Sequence, residues 1–216
     1  MDIYYTKYGK FLLHPYDLIS KELIKGNFWE PELLPVFNKY INKDSVVIEV
    51  GSYFGDHTVY LSKIAHSVYA YEGFKRNYYH LITNIFLNNC FNVYPLNYVI
   101  GNGETVREAR DVDEWGPDWS YNAAGARFVA GTDITTYLLD DLYFTKVDFI
   151  KIDTEGMDLN VMLGGEKLIL KNRPIIVFEY NEPISVPFKE YENYLNYINY
   201  SYEKIGWYNY LALPKD

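Results

Sequence analysis

The chain has 216 residues, a formal net charge of −9 and one cysteine, Cys90, enough length for an α/β domain with its own core but no intrachain disulfide or thiolate metal cage. Its acidic balance argues against a general nucleic-acid binder or an anionic-membrane binder, both of which need clustered Lys and Arg. No apolar run approaches the ~18 residues that cross a bilayer, and residues 1–6 lack the basic flank and apolar stretch of a signal peptide, so the expectation is a cytoplasmic protein without membrane insertion.

Residues 1–44 read as a leader with two helices. One spans 17–25 and ends at Gly26; the other spans 31–41, with Pro31 well placed at its start. They cover either the mouth of a site or an edge of a sheet. Val46, Val47, Ile48 and Val50 then form a β-branched run broken only by Glu49, the pattern of a strand buried on both faces. Gly51 and Gly55 bracket a tight turn, after which Leu61, Ile64, Ala65 and Val68 recur at helical spacing. Strand, glycine loop and helix in this order open a nucleotide-binding α/β unit, whose ligand lies at the carboxyl end of the strand.

A second strand, 68–71, ends at Glu72. Tyr78, Leu81, Ile82, Ile85 and Phe86 mark an amphipathic helix over 75–87, and a third strand falls within 92–100. Residues 104–132 break the rhythm and carry Trp115, Trp119 and Tyr121; a loop this long is usually functional or disordered, and the three aromatics favour function. A short helix near 134–142 precedes a fourth strand, 147–152, which ends in Asp153-Thr154-Glu155-Gly156. A helix follows through about residue 172, with Gly164-Gly165 as a soft spot, and then a fifth strand, 174–179. One more helix, around 188–198, leads to a closing antiparallel pair, 202–207 and 210–213. The expected fold is a single domain, 1–216, built on an open and mostly parallel sheet with helices on both faces.

Two ligand classes share this opening. A dinucleotide site needs G-x-G-x-x-G, and Tyr53 stands where its middle glycine belongs. A P-loop is excluded because no Gly-Lys-Ser/Thr follows. Glu49 to Gly55 instead reads acidic-x-Gly-x-x-x-Gly, which resembles motif I of class I S-adenosylmethionine-dependent methyltransferases. That ligand has no phosphate but carries a sulfonium and an α-amino group, so a carboxylate near the strand end is an asset. Glu72, after the second strand, can accept from both ribose hydroxyls. For Glu49 a backbone or lysine partner is the alternative.

Several blocks are similar to the FkbM family of methyltransferases: Gly55-Asp-His-Thr58, Tyr71-Glu72, Asn84-Ile-Phe-Leu-Asn88, Phe149-Ile-Lys-Ile-Asp-Thr-Glu-Gly156, Leu163-Gly164, Arg173-Pro174 leading into Glu179, and Gly206-Trp-Tyr-Asn-Tyr-Leu211. They cover about residues 40–100 and 133–213. The chain departs at Glu49, where many members have Asp, and at Gly73, where a proline commonly follows the acid. The resemblance implies a Rossmann-like, seven-stranded class I sheet. It also implies transfer of a methyl group from S-adenosylmethionine to oxygen, commonly on a sugar or natural-product hydroxyl. Glu49, Gly51, Ser52, Gly55, His57 and Thr58 would then form the cofactor loop. Glu72 would hold the ribose, and Asn97 would sit by the adenine.

The reacting centre of such a sheet lies outside the carboxyl ends of its central strands. Asp153 and Glu179 would face it. Asp153 is the candidate base and a further cofactor contact, Glu179 would bind the acceptor hydroxyl, and Glu155 either supports a helix start or touches substrate. The same carboxylates, Asp153 and Glu179, would suit Mg²⁺ or Mn²⁺, which take oxygen ligands and acidify a bound hydroxyl. Lys151 either pairs with Asp148 or Glu179 or steers the hydroxyl. Trp115, Trp119 and Tyr121 offer faces for the C–H side of a sugar ring or form a lid without sugar preference. Amino-directed DNA methyltransferases carry Asn/Asp-Pro-Pro-aromatic after the fourth strand, and cytosine-C5 enzymes need Pro-Cys; this chain has neither. The reading is an O-methyltransferase for a sugar of a glycan or other small molecule. Its alternatives are a silent cofactor-binding module or an enzyme for a lipid or non-sugar natural-product hydroxyl. The sequence leaves the oligomeric state open.

Overall fold

A computed structural model describes residues 1–109 and 126–216. Trp115, Trp119 and Tyr121 lie outside the described residues. In chain order, a hairpin of β1 (Asp2–Tyr5) and β2 (Lys10–Leu13) is followed by helices α1 (Leu18–Ile24) and α2 (Leu33–Tyr40). Then come β3 (Val46–Val50), α3 (Asp56–Ile64), β4 (Ser67–Tyr71), α4 (Lys75–Leu87) and β5 (Val93–Leu96). Three short strands follow, β6 (Thr105–Ala109), β7 (Arg127–Ala130) and β8 (Ile134–Thr135). The chain closes with β9 (Phe149–Ile152), α5 (Asp158–Gly164), α6 (Glu166–Asn172), β10 (Ile175–Glu179), α7 (Phe188–Tyr197), β11 (Tyr200–Lys204) and β12 (Asn209–Pro214).

Seven strands form the central sheet in the order β11-β12-β10-β9-β3-β4-β5. Only β12 breaks the parallel run, pairing antiparallel with β10 and β11. Residues alternate across the sheet as strand geometry requires. Val47, Val68, Phe149 and Val177 pack on one face with α1, α2 and α3. Ile48, Ile150, Ile152, Ile176 and Phe178 pack on the other with α5, α6 and α7. Because β3 lies between β4 and β9, successive crossovers leave it in opposite directions, and the switch opens a crevice at the strands' carboxyl ends.

Four expectations change. The leader begins with a hairpin that the sequence reading missed; its strands are four residues each and gain their place from α4. Asn84 and Asn88 accept from Leu12 N–H at 2.7 Å and Lys10 N–H at 2.9 Å. Within the supposed loop 104–132 stand β6 and β7, which join β8 in a three-stranded antiparallel sheet, its strands too short to show a period. The helix near 134–142 does not form. In its place stand β8 and one 3₁₀ turn, Leu139–Asp141, where Asp140 accepts from Lys167 N–H and Leu168 N–H of α6. The third strand stops at Leu96, after the edge residue Pro95, which has no N–H to give a neighbour. The break at Gly164-Gly165 is real: a Cβ on Gly164 would meet Gly101 O at 1.8 Å.

Candidate active site

The crevice is a cavity of about 500 Å³, within the range of small-molecule sites. Its floor is the glycine loop after β3. Gly51 has φ 83°, and a Cβ there would lie 1.7 Å from Asp153 O, so only glycine fits. Its N–H and that of Ser52 both reach Tyr71 O, at 2.9 and 3.1 Å, which folds the loop over the β3–β4 junction. Gly55, φ 91°, then caps α3.

Glu72 closes β4 and lines the cavity. Tyr53 N–H donates to its Oε2 and Phe74 N–H to its Oε1, each at 2.8 Å. The carboxylate is thereby fixed by its two edges, with lone pairs left for a ligand. Burial raises its pKa to about 8. Asn97 does not reach the cavity; its Nδ2 donates to Glu72 O at 2.8 Å and Gly73 O at 3.0 Å, buttressing the turn from behind. Beyond Glu72 the wall is apolar, with Tyr71, Phe74, Tyr98, Val99 and Phe128. Gly73 explains its own departure from the family pattern. A Cβ there would come within 2.6 Å of the Phe128 ring, which stacks on Phe74 with centroids 4.3 Å apart.

Glu49 also lies behind the wall. It is buried on β3, with Thr58 donating to its Oε2 at 2.5 Å, and it sits opposite Lys151 in the β3–β9 register. Burial raises its pKa to about 7 although the Lys151 charge pulls the other way. Thr58 and Gly55 support the loop without lining the cavity; Ser52 and His57 do line it. Lys151 is 1 % exposed and does not face the cavity, which corrects its assignment to substrate. Its partner is Asp153, at 2.9 Å, rather than Asp148 or Glu179. Asp148 pairs with Lys146 at 3.1 Å instead.

Asp153, Glu155 and Glu179 converge at the tips of β9 and β10, with a carboxylate oxygen from each lying within 4.8 Å of the others. Asp158 holds the two tips in register: it accepts from Thr154 Oγ1 at 2.9 Å and from Glu179 N–H at 3.1 Å. Burial, then the Asp153 charge, raises Glu155 to about 8 and Glu179 to about 10. Glu155 caps no helix, since Met157 holds the N-cap position of α5.

The sequence reading missed the leader's share. Trp29 and Glu30 line the cavity together with Leu18 and Ile19, so the leader covers the mouth. Asp56 was passed over beside His57, and Arg127 and Phe128 lie in a stretch with no readable period. Only Asp56 carried a signal, its place in Gly55-Asp-His-Thr58. His57 Nε2 is 3.2 Å from Trp29 O. Burial lowers its pKa to about 3, so the ring is neutral and Nε2–H is the donor.

Solved structures share this architecture at low sequence identity, which speaks to fold alone. Methyltransferase FkbM from Methylobacillus flagellatus aligns at TM-score 0.52 and 16 % identity over 80 % of this chain and 44 % of that one, so the chain spans less than half of that relative's length. A Streptococcus mutans protein in complex with S-adenosylhomocysteine aligns at 0.50 and 13 % over 86 % and 97 %. A tRNA m1G37 methyltransferase from M. jannaschii aligns at 0.52 and 11 % over 99 % and 57 %. No curated protein matches the chain. The family described as Methyltransferase FkbM domain matches residues 49–202, from the acid of the first central strand to the closing hairpin. By that match, the chain belongs to the FkbM methyltransferase family.

Proposed function

We propose that this protein is an S-adenosylmethionine-dependent O-methyltransferase acting on a hydroxyl of a small molecule, with a sugar of a glycan as the favoured acceptor. The observation that carries the reading is one cleft with two carboxylate stations. Glu72 stands at the β4 tip, its oxygens oriented by two backbone N–H groups, and Asp153, Glu155 and Glu179 stand at the β9 and β10 tips. The residues fit the cofactor. The Gly51 turn leaves space that any Cβ would fill, the donor-accepting Glu72 suits a ribose diol, and the wall beyond it suits an aromatic base.

When bound, S-adenosylmethionine supplies a methyl group activated by its sulfonium. The chain supplies the rest. Asp153 takes the acceptor's proton, and Lys151, donating to Asp153 Oδ2, fixes that carboxylate from below. Glu155 and Glu179, protonated near neutral pH, donate to the acceptor's oxygens and orient them. Such base assistance contributes ~10²–10⁴-fold in rate, and alignment contributes the remainder. The net charge of −9 favours a neutral acceptor over RNA.

Incubation with methyl-labelled cofactor and a panel of saccharides, phenols, lipid headgroups and tRNA tests this reading. A mass gain of one methyl on a saccharide hydroxyl is expected; transfer to tRNA alone, or to nitrogen or carbon, contradicts it. A second reading rests on the three convergent carboxylates, which could hold a hard divalent cation that acidifies the hydroxyl. Chelator leaves turnover unchanged under the base mechanism and abolishes it under the metal one.

A further inference from the structure

We infer that Asp56 and Glu30 form the receptor for the α-ammonium of the cofactor's methionine tail, a role that extends the proposed function and rests on it. Asp56 opens α3 and is 4 % exposed. One of its oxygens faces the N–H groups of its own helical turn; the other, Oδ2, is buried with no hydrogen-bond donor. Glu30 comes from the leader across the cleft. Its Oε1 accepts from Asn209 Nδ2 at 2.5 Å, and its Oε2 is likewise buried without a donor. Both residues line the cavity.

The two orphaned oxygens neighbour one and the same atom. Glu30 Oε2 is 3.7 Å and Asp56 Oδ2 4.0 Å from the same atom, His57 Nε2. That atom does not satisfy them, because its single hydrogen is directed at Trp29 O and a neutral imidazole has no second donor. Buried acceptors left without donors are costly. An ammonium has three N–H donors and a positive charge, so it can serve two carboxylates at once. Burial leads the causes that raise both acids, Glu30 to about 7 and Asp56 to about 6, a cost that a bound cation would relieve.

Backbone geometry points the same way. Among the described residues six non-glycine residues have positive φ, and three of them, Glu30, Tyr53 and Glu155, line this cavity. Asn89, Arg173 and Asn199 follow helix ends, where that conformation is ordinary. Glu30 at φ 51° is held in a sparsely populated region by its surroundings, as ligand-clamping residues often are. The site lies on the α3 side of the glycine loop, away from the apolar wall beyond Glu72. It therefore matches the end of the nucleoside opposite the base.

The test compares two ligands that differ only in this end. S-adenosylhomocysteine carries the amino acid tail, whereas 5′-methylthioadenosine has only a methyl there. Calorimetric titration of wild type, Glu30→Gln and Asp56→Asn should show S-adenosylhomocysteine weakened about tenfold or more in each variant. Methylthioadenosine should change less than about twofold. Both substitutions keep an oxygen for the existing donors, and retained methylthioadenosine binding itself reports an intact fold. Equal losses for the two ligands, no loss, or a wild type that binds both equally well would overturn the inference while leaving the cofactor reading standing. A wild type that binds neither would overturn both.

Discussion

Glu72→Ala is expected to weaken S-adenosylhomocysteine binding about 100-fold or more, with the fold retained. The carboxylate accepts from Tyr53 N–H and Phe74 N–H, and in the proposed complex it also accepts from the ribose. Titrated at about pH 9, above the carboxyl's pKa of about 8, the variant loses hydrogen bonds to a charged group worth ~1.5–3 kcal/mol each, so two ribose contacts account for at least two orders of magnitude in affinity. The apoprotein has less to lose. A folded-state pKa near 8 lies well above the ordinary carboxylate value, so the folded state binds more protons than the unfolded chain between those two values. Stability from this group is therefore present at low pH and declines as pH rises from about 4.5 toward 8. The variant should melt below wild type at pH 5, because two backbone N–H groups lose their acceptor. The gap should narrow or reverse at pH 8. Unchanged affinity would mean that the ribose is held elsewhere, and a gap that widens with pH would contradict the buried-acid account.

Asp153→Asn should lower kcat by ~10²–10⁴-fold while changing S-adenosylhomocysteine affinity only a few-fold. The substitution removes the proton acceptor and leaves buried Lys151 without the negative charge of its 2.9 Å partner, so a lower melting temperature accompanies the kinetic loss. Glu49 and Glu30 also attract that ammonium and keep the chain folded. Asp153→Glu, which restores charge but displaces it, should recover part of the rate. Single-turnover kinetics with an identified acceptor checks this. A kcat within threefold of wild type in the Asn variant would remove Asp153 as the base and shift the role to Glu179 or Glu155.

The central strands, the glycine loop and the three acids at the β9 and β10 tips were legible because local pattern and chemistry coincide there. Val46–Val50 is β-branched at every position but Glu49, the pattern of a doubly covered strand, and Gly51 is required by a contact its own strand neighbours create. What faces inward and what faces the ligand was less legible. Glu49 and Lys151 read as site residues, but strand alternation sends both to the α2–α3 side of the sheet. Neither lines the cavity: Lys151 donates to Asp153, and Glu49 accepts from Thr58. Glu30 was invisible because its place in the cleft is created by tertiary packing, through a contact with Asn209, 179 residues away in the chain. Phe128 was hidden for a similar reason: four-residue strands such as β7 carry too few positions to show a period.

The claim on which the rest depends is that this crevice grips an adenosyl nucleoside by its sugar at the tip of β4. Crystals soaked with S-adenosylhomocysteine test it most directly. The account predicts both ribose hydroxyls within hydrogen-bond reach of Glu72 and the homocysteine end on the Asp56 side. A vacant crevice at saturating ligand, or a nucleoside seated with Glu72 unengaged, would contradict it.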